Sequence, residues 1–486
     1  MDIQIKRLDW FFFIACLFLG IVAEEAFFRG EMGVAYILFI ALFYAVFFYR
    51  FRSFSFSHQR FGYLLLIAIW LLAVGYFLYD VALFKVLNLL IIPSLVIFHL
   101  VVITSPKKAE WSRIFFVFYT LQRLFEGFLY NAFFTKYVAK LLMRSNNKKQ
   151  YDVWKKVIIG ICISIPLLFL ILQLLVSADA HFEKLVSEIP NLLTIDAETV
   201  FRIIIILLYT FGFFGFMQVL INKQMVFKNE ITIEPIKMDG IITLTMLLLF
   251  NAVYVLFIAV QFTYFFSGTL NDGYTYAEYA RRGFFELLFV TLINITITTA
   301  VIHFTKTVQG TMKKAIRLAL SVLVLSSGVL LVSAFMRMSM YEAAYGYTFT
   351  RVLVNTFMVF LMVILAYTFV KIWLEKLSLF RFYFIASLIY YVGINVINLD
   401  RIVVERNLER FEMTGKIDIG YLSHLSSTGI LGLMELHERN PHIQGLEELL
   451  QSHKEERMSL KTDSWRSFNV TKNKAYIKLG ELELDK

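Results

Sequence analysis

Apolar stretches of roughly 20 residues recur about eleven times along the chain, and short polar segments separate them. An α-helix needs about 20 residues to cross the hydrocarbon core of a bilayer, so stretches of this length indicate transmembrane helices. The pattern therefore predicts an all-α fold, a polytopic transmembrane helical bundle. We place the predicted spans at 8–27, 32–49, 62–79, 82–104, 157–177, 201–221, 240–266, 280–304, 316–336, 351–372 and 379–398.

The sign of charge alternates between successive loops. Basic residues precede the first span and dominate the loop 105–156, whereas the loops 24–31 and 178–200 are acidic. Lys and Arg collect in the cytoplasmic loops of membrane proteins. We therefore expect a plasma (inner) membrane protein with a cytoplasmic N-terminus, and the odd number of spans predicts an extracytoplasmic C-terminus.

Residues 111–143 do not fit the pattern of an ordinary span, because charged residues interrupt them. The apolar side chains recur at a helical period, at Ile114, Phe118, Leu121, Phe125, Phe128 and Ala132. The charged positions are Arg113, Arg123, Glu126, Lys136 and Lys140. A helix of this kind lies along a membrane surface, so we predict an interfacial amphipathic helix on the cytoplasmic side. A re-entrant or spanning helix is the alternative, and a spanning helix would invert the topology downstream.

The composition changes abruptly after the last predicted span. From Asp400 onwards the chain has 13 Lys and Arg, 15 Asp and Glu, and no apolar run of membrane length. We predict a transmembrane domain over 1–398 and a small extracytoplasmic α-helical soluble domain over 399–486, which we call the tail. The tail shows helical apolar spacing at 402–413, 428–437 and 445–458, possible N-caps at Ser426, Ser427 and Thr428, and a last helix from Trp465 capped by Asp463 or Ser464.

The composition supports a membrane location and argues against nucleic acid as a partner. The chain is 59% hydrophobic and 17% charged, whereas soluble domains have about 25% charged residues. Its 51 Phe residues suit lipid-facing surfaces. The formal net charge of +10 follows alternate loops rather than one continuous face, so the lipid bilayer is the expected partner. The two cysteines lie inside predicted spans and form no CxxC pair.

No motif of established chemistry is present. The sequence contains no phosphate-binding loop, no GxGxxG, no HExxH and no GxSxG. His437 and His442 are five residues apart with a helix break between them, which does not favour a metal site. We therefore assign no catalytic, cofactor-binding or metal-binding residue and expect no cofactor.

Polar and charged residues concentrate at the loops predicted to lie outside. Glu278, Arg282 and Glu286 are spaced four apart and share one helix face. A carboxylate inside a span is costly unless it is paired or faces a wet cavity, so Arg282 is the expected partner of Glu286. We predict an outer polar collar formed by Glu278, Arg281, Arg282, Glu286, Arg337, Tyr341, Glu342, Arg351, Asp400 and Arg401. Two interpretations of the collar stay open: a structural ion-pair network that holds the tail against the membrane domain, and a ligand or substrate site.

Polar residues within the spans have a simpler explanation. Interhelical hydrogen bonds account for them without a transport path; these residues are Asn88, Asn251, Gln261, Asn294 and Asn395. Small residues at Ser326, Ser327, Gly328 and Ser333 give the span 316–336 a face suited to close helix packing.

Five separated motifs occur in a characteristic order. They are TYAEYARRGFFELL (275–288), RMSMYEAAYGYTFTR (337–351), NLDRIVVERNLERF (398–411), KIDIGYLSHLS (416–426) and SWRSFNVTKNKAY (464–476). This set resembles the bacterial multi-pass membrane family catalogued as domain of unknown function 4173, with its relative 4153. The resemblance covers roughly residues 200–486. It implies a bacterial integral membrane protein with a helical bundle and a polar tail, and it implies no activity, cofactor or catalytic residue.

The leading hypothesis is a non-enzymatic envelope protein. Its tail and collar would bind an envelope protein or a small-solute ligand at the outer face, and the bundle would respond. The first alternative is a secondary transporter of a small solute or ion, in which Glu286 and Arg282 bind or gate. The second is a membrane enzyme acting on envelope or lipid-linked substrates through outer carboxylates and arginines.

Overall fold

The computed structural model describes residues 6–113, 115–142, 197–221, 238–264, 284–305, 309–459 and 464–482, with six isolated positions between 157 and 175. These residues form α-helices, one short 3-10 turn and no strands. Their only strand-like pairing is an isolated bridge between Met238 and Thr305. The all-α prediction is therefore confirmed over this part of the chain.

Nine helices of the described residues are long and apolar enough to cross a bilayer. They are α1 (Arg7–Phe28), α3 (Gln59–Leu78), α4 (Ala82–Thr104), α6 (Ala197–Leu220), α7 (Gly240–Tyr264), α8 (Phe284–Phe304), α9 (Gly310–Tyr345), α10 (Phe349–Trp373) and α11 (Leu379–Val396). Each coincides with a predicted span. The predicted span 32–49 corresponds to α2 (Val34–Arg50), an apolar helix of 17 residues. The predicted span 157–177 lies outside the described residues, save for the isolated positions.

The charged stretch after α4 forms α5 (Phe115–Leu142), a helix of 28 residues. Its predicted apolar stripe, including Phe118 and Phe125, is exposed, as a lipid-facing stripe would be. The opposite side packs against α6 so closely that a Cβ on Gly215 would lie 2.4 Å from the carbonyl oxygen of Gly127. The helix is present as predicted, and its placement along the membrane surface stays a prediction.

The chain divides into two compact units. The first contains Met1–Leu66, Pro93–Met225 and Ser464–Ser467. In this unit α1 and α6 run antiparallel, and polar contacts join both ends of the pair. Near the start of α1, the buried Asp9 accepts hydrogen bonds from Arg50 at 2.8 Å and from Gln218 at 3.0 Å. Near its end, the buried Glu24 pairs with Arg202 at 2.9 Å.

The second unit contains Ile67–Ile92, Val226–Asp463 and Phe468–Lys486. Its membrane part is built around α9, which packs against α7, α8 and α10. The predicted interhelical hydrogen bonds are confirmed, because polar side chains of neighbouring spans bond to α9. The bonds join Asn251 Nδ2 to Ala319 O (2.8 Å), Asn294 Nδ2 to Ser327 Oγ (3.0 Å) and Ser333 Oγ to Gln261 Oε1 (3.0 Å).

Helix α9 is longer than the span 316–336 predicted from the sequence. It has 36 residues, which is about 54 Å at 1.5 Å per residue and exceeds a hydrocarbon core of about 30 Å. The apolar segment in the sequence covers only the part of the helix that fits within the bilayer. The charged residues on either side continue the helix, so Arg337 and Glu342 lie on α9 and not in a loop.

The tail is helical, as predicted. Its helices are α12 (Leu399–Thr414), α13 (Ile419–Ser423), α14 (Ser427–Arg439), α15 (Leu446–Ser459) and α16 (Val470–Glu481). The prediction of a last helix from Trp465 is wrong. Trp465–Ser467 is a 3-10 turn, and α16 begins only at Val470, because the Asn469 side chain caps it by accepting the Lys472 N–H at 3.1 Å.

A small apolar core holds the tail together. Leu408, Leu433, Leu450 and Leu479, from four different helices, are among its buried residues. Helices α12 and α14 cross closely, since a Cβ on Gly432 would lie 2.4 Å from a methyl group of Val404. Small cores give small stabilities, so attachments beyond the core matter here. The domain boundary at 398/399 stays a prediction; α12 begins at Leu399.

Candidate functional site

Helix α12 of the tail grips the connection between α9 and α10. Asn407 makes two hydrogen bonds to the backbone of Tyr347. Its Nδ2 donates to the Tyr347 carbonyl at 2.8 Å, and its Oδ1 accepts the Tyr347 N–H at 3.1 Å. Arg410 donates to the carbonyl of Ala344 at 2.9 Å. All of these partners are backbone atoms, in the last turn of α9 or in the connection that follows it. The tail therefore fixes the path of the chain between two membrane helices, and not merely their side chains.

The backbone of the connection has a conformation that allows these hydrogen bonds. Gly346 has φ +84°, a conformation that favours glycine, and a Cβ there would lie 2.9 Å from Asn407 Oδ1. The Tyr421 hydroxyl from α13 accepts the N–H of Phe349 at 2.7 Å, which satisfies a backbone donor in the first turn of α10. Two tail helices thus hold the same short connection.

The tail also holds the end of α3. Asn469 donates to the carbonyl of Tyr76 at 3.0 Å, and Thr471 donates to the carbonyl of Leu78 at 2.6 Å. The last carbonyls of a helix have no partner within the helix. Residues at the start of α16 supply those donors here, and Asn469 is buried while doing so.

Two carboxylates meet the start of α14. Asp80, which follows α3, accepts both the N–H (3.0 Å) and the hydroxyl of Ser427. Ser426 occupies the N-cap position, as predicted, but its side chain caps nothing and donates instead to Asp400. The cap of α14 therefore comes from a residue 347 positions away, and an anion at a helix N-terminus is stabilised by the helix dipole.

The environment of Asp400 favours its neutral form. The residue is 2% exposed, and burial raises the pKa of its carboxyl from 3.8 to about 6. The hydrogen bond from Ser426 opposes this rise in pKa, and the nearby charge of Asp80 adds to it. The Oδ1 atom of Asp80 is buried without a hydrogen-bond partner among the described residues. The Asp400 carboxyl can therefore change its protonation state near pH 6.

A second polar cluster lies where α9 and α10 meet. Glu342 is buried, and its Oε2 accepts a hydrogen bond from Asn355 at 2.8 Å. Beside it, the Arg351 guanidinium lies 4.3 Å from the centre of the Tyr341 ring. In the described part of the chain, Glu342 Oε1 and Asn355 Oδ1 are both buried without a donor. Buried acceptors without donors cost free energy. A structural role in holding the tail therefore does not by itself explain this cluster.

The structure brings together only part of the predicted collar. Tyr341, Glu342 and Arg351 form the cluster just described. Tyr421 lies close enough to Asp400 and Arg351 for both charges to influence the pKa of its hydroxyl, which burial raises.

The remaining collar residues lie elsewhere. Arg337 is buried on α9. Arg401 faces the tail surface and pairs with Glu405 at 2.6 Å and Glu435 at 3.2 Å. Glu286 is exposed in the first described turn of α8. The predicted partner of Glu286, Arg282, lies outside the described residues, as do Glu278 and Arg281.

A small pocket adjoins the end of α3. Tyr76, Lys85, Asn88 and Asn395 are among the residues that line it, and its volume of about 20 Å³ is room for about one water molecule. Asn88 donates to Asn395 at 2.8 Å and accepts from Tyr391 at 2.6 Å, so these residues also make the interhelical bonds predicted from sequence. Over the described ranges, no group of three His, Cys, Asp or Glu side chains could hold a metal ion.

Sequence reasoning missed several residues that the structure makes central. Asn407, Tyr421 and Asn469 hydrogen-bond to backbone atoms far away in the chain. They lie within the motifs 398–411, 416–426 and 464–476, but those motifs do not reveal their partners. Asp80 did carry a signal: it is the only charge in the three-residue connection between α3 and α4. A lone carboxylate there needs a partner, and Ser427 provides one.

Comparison with known families gives one match. The model of domain of unknown function 4153 matches residues 66–436. Since this covers more than half of the chain, the protein belongs to that family. The match is to the relative 4153; the family 4173, which the motifs also resemble, is not shown. No curated protein and no solved structure matches the chain.

Proposed function

We propose that this member of the domain of unknown function 4153 family is a non-enzymatic envelope protein of a bacterial inner membrane. The tail binds a protein partner at the non-cytosolic face, and the membrane helices respond. The observation that carries the proposal is that tail side chains hydrogen-bond to backbone atoms at the ends of α3, α9 and α10.

Hydrogen bonds from tail side chains to backbone atoms can transmit a movement of the tail to the membrane helices. A side-chain contact can be lost by a rotamer change, whereas Asn407 cannot move without moving the backbone of Tyr347 or leaving buried groups unpaired. An unpaired buried group costs about 1–3 kcal/mol. A partner that shifts α12 therefore shifts the connection between two spans, and a packed bundle responds by changing between discrete arrangements.

The exposed face of α12 and α14 supplies the binding surface. A continuous chain of ion pairs crosses it, joining Glu405, Arg401, Glu435, Arg439 and Glu412 at distances of 2.6, 3.2, 2.8 and 2.7 Å. Exposed ion pairs contribute little to stability, about 0–1 kcal/mol each. The alternating charges are therefore free to exchange partners with a protein whose surface carries complementary charges, which gives specificity and speed of association.

The contacts support the predicted orientation. In the second unit, the loops that the charge pattern assigns to the outer side, at Asp80 and Tyr347, are the ones that contact the tail. In the first unit, Glu25, in the last turn of α1 at the predicted outer side, pairs with Arg466 at 3.1 Å. This grouping fits a cytoplasmic N-terminus and an extracytoplasmic tail.

Site-specific photo-crosslinking in intact cells tests the proposal. A photoreactive amino acid at Glu405 should give a discrete adduct with one partner, and the charge reversal Arg439→Glu should remove that adduct without lowering the amount of protein in the membrane. The same amino acid at Glu455, exposed on α15, is the matched control and should give no such adduct.

Absence of adducts at Glu405, or equal adducts at both positions, would contradict the proposal. Protease added to sealed right-side-out vesicles checks the orientation independently, because it should cut the tail. An uncut tail in that experiment refutes the extracytoplasmic placement.

A second candidate function, movement of a small ion, rests on the cluster of Glu342 and Asn355. Their buried, donor-less oxygens are the kind of groups that accept a cation or a proton. In proteoliposomes, Glu342→Gln should then abolish ion flux, while Glu405→Gln on the tail surface should not. Equal flux for the two variants would exclude this role.

A further inference from the structure

Helix α16 exposes a face that mixes apolar and basic residues. Val470, Lys474, Ile477 and Lys478 follow the i, i+4, i+7, i+8 spacing of one helix face, and all four are exposed. Ile477 is 50% exposed, and Phe468, just before the helix, is 40% exposed. Met413 and Trp465 are other exposed apolar side chains of the tail, but neither lies on this face of α16, where three apolar side chains and two lysines lie together.

The packing of the tail does not require this face. The opposite face of α16 carries Thr471, Ala475 and Leu479, all buried, and Leu479 belongs to the tail core. The exposed residues therefore contribute nothing to that core.

The start of α16 is attached to the end of α3, a helix long enough to cross a bilayer. Asn469 and Thr471 bond to the last carbonyls of α3. The Phe468 ring lies 5.9 Å from the ring of Phe77 in the last turn of α3. Helix α3 has 20 residues, about the length that crosses the hydrocarbon core. Its end, and the side chains attached there, consequently lie among the lipid headgroups.

The charge of α16 differs from that of its neighbour. Helix α16 carries Lys472, Lys474 and Lys478 against Glu481. Helix α15 carries four glutamates, Glu447, Glu448, Glu455 and Glu456, against Lys454 and Arg457. Positive charge is thus gathered on the helix that begins at the membrane surface, in a tail that has more acidic than basic residues overall.

We infer that α16 and Phe468 form an interfacial anchor that binds the anionic phospholipid headgroups of the bilayer in which the protein sits. Phe468, Val470 and Ile477 enter the boundary between headgroups and acyl chains, and Lys474 and Lys478 pair with phosphates. Each basic residue near an anionic surface contributes a factor of about five to such binding. The anchor acts whether or not the tail also binds a protein partner.

Thiol accessibility in nanodiscs tests the anchor. The full chain carrying Ile477→Cys is placed in nanodiscs of phosphatidylglycerol and phosphatidylcholine, or of phosphatidylcholine alone, and its reaction rate with a membrane-impermeant maleimide is measured. Met413→Cys, at an 80% exposed position of α12, is the matched control, and the parent chain gives the background. In the anionic nanodiscs we expect Ile477→Cys to react about 25-fold more slowly than Met413→Cys, since each of the two lysines contributes a factor of about five. In phosphatidylcholine alone the difference should be much smaller.

Charge reversal separates the lysines from the apolar contact. Lys474→Glu with Lys478→Glu should raise the reaction rate of Ile477→Cys in anionic nanodiscs to its value in phosphatidylcholine, whereas Lys416→Glu, at an exposed position of the tail, should leave it unchanged. Equal rates for Ile477→Cys and Met413→Cys in anionic nanodiscs would overturn the anchor. Protection that is the same in both lipids and insensitive to charge reversal would also overturn it, because anionic headgroups would then play no part.

Discussion

The two ends of α9 and α10 are held in different ways. At the end that contacts the tail, Asn407 and Tyr421 hydrogen-bond to the backbone of the connection, and Glu342 is buried. At the opposite end, Lys313 and Arg317 of α9 gather around Glu375, whose side chain is 59% exposed. One end is a fixed, desolvated interface, and the other is a solvated charge cluster.

The carboxylates at these two ends show what solvent exposure does. Hydrogen bonding and charge from Lys313 hold the pKa of Glu375 below its ordinary value. Burial raises the pKa of Asp400 to about 6. An exposed ion pair leaves both charges close to water and is readily screened by salt. A buried carboxyl instead favours the neutral form, so the free energy of opening the tail depends on pH.

The largest expected effect concerns Asp400. The pKa of its carboxyl is raised in the folded protein, so the folded form binds the proton more tightly and this contribution to stability is complete below pH 3.8. The contribution is lost as pH rises through about 6. The full change corresponds to about 3 kcal/mol in the free energy of opening the tail. Hydrogen exchange of the tail amides, corrected for the intrinsic effect of pH, measures it.

Asp400→Asn isolates this effect. The variant can still accept the hydrogen bond from Ser426, but it cannot titrate, so the protection of the tail should lose most of its dependence on pH. Asp418→Asn is the matched control, because Asp418 caps α13 at an exposed position and Asn caps helices equally well. An unchanged pH dependence in Asp400→Asn would show that a group other than Asp400 is responsible.

An intermediate effect is expected from Asn407→Ala. The change removes two hydrogen bonds and leaves the backbone groups of Tyr347 without partners in a partly buried setting. The cost should be about 2 kcal/mol in the free energy of opening the tail, seen as faster proteolysis of the tail and faster exchange at the α9–α10 connection. Arg406→Ala, at the adjacent exposed position, should change neither measurement. Similar behaviour of the two variants would mean that the grip does not hold the tail.

The smallest effect is expected at the opposite end. Glu375→Gln removes the charge that Lys313 and Arg317 share. Because Glu375 is exposed, we expect thermal unfolding in detergent to be unchanged within error, at low and at high salt. A clear destabilisation that high salt abolishes would show that this end, too, is a structural interface.

The sequence by itself determined the class of fold and most of its elements. A run of about 20 apolar residues has few stable states other than a membrane helix, because every backbone polar group in lipid must be bonded within the helix. This local constraint explains why nine predicted spans coincide with helices of the described residues. The apolar spacing of the tail likewise predicted α12, α14 and α15. The order of the predicted spans predicts that Asp80 and Tyr347 lie on one side, and the structure brings both to the tail.

Only the tertiary structure decided which polar residues meet. Asp80 and Ser427, or Asn469 and Tyr76, are far apart in the chain, and a hydrogen bond between them depends on how whole helices pack. Charge and spacing selected Arg401 and Asp400 alike for the collar, yet adjacent positions on a helix point in different directions, so Arg401 reaches the surface and Asp400 is buried. The length of an apolar segment is a local property of the sequence, whereas the pairing of polar groups is a property of the packed molecule.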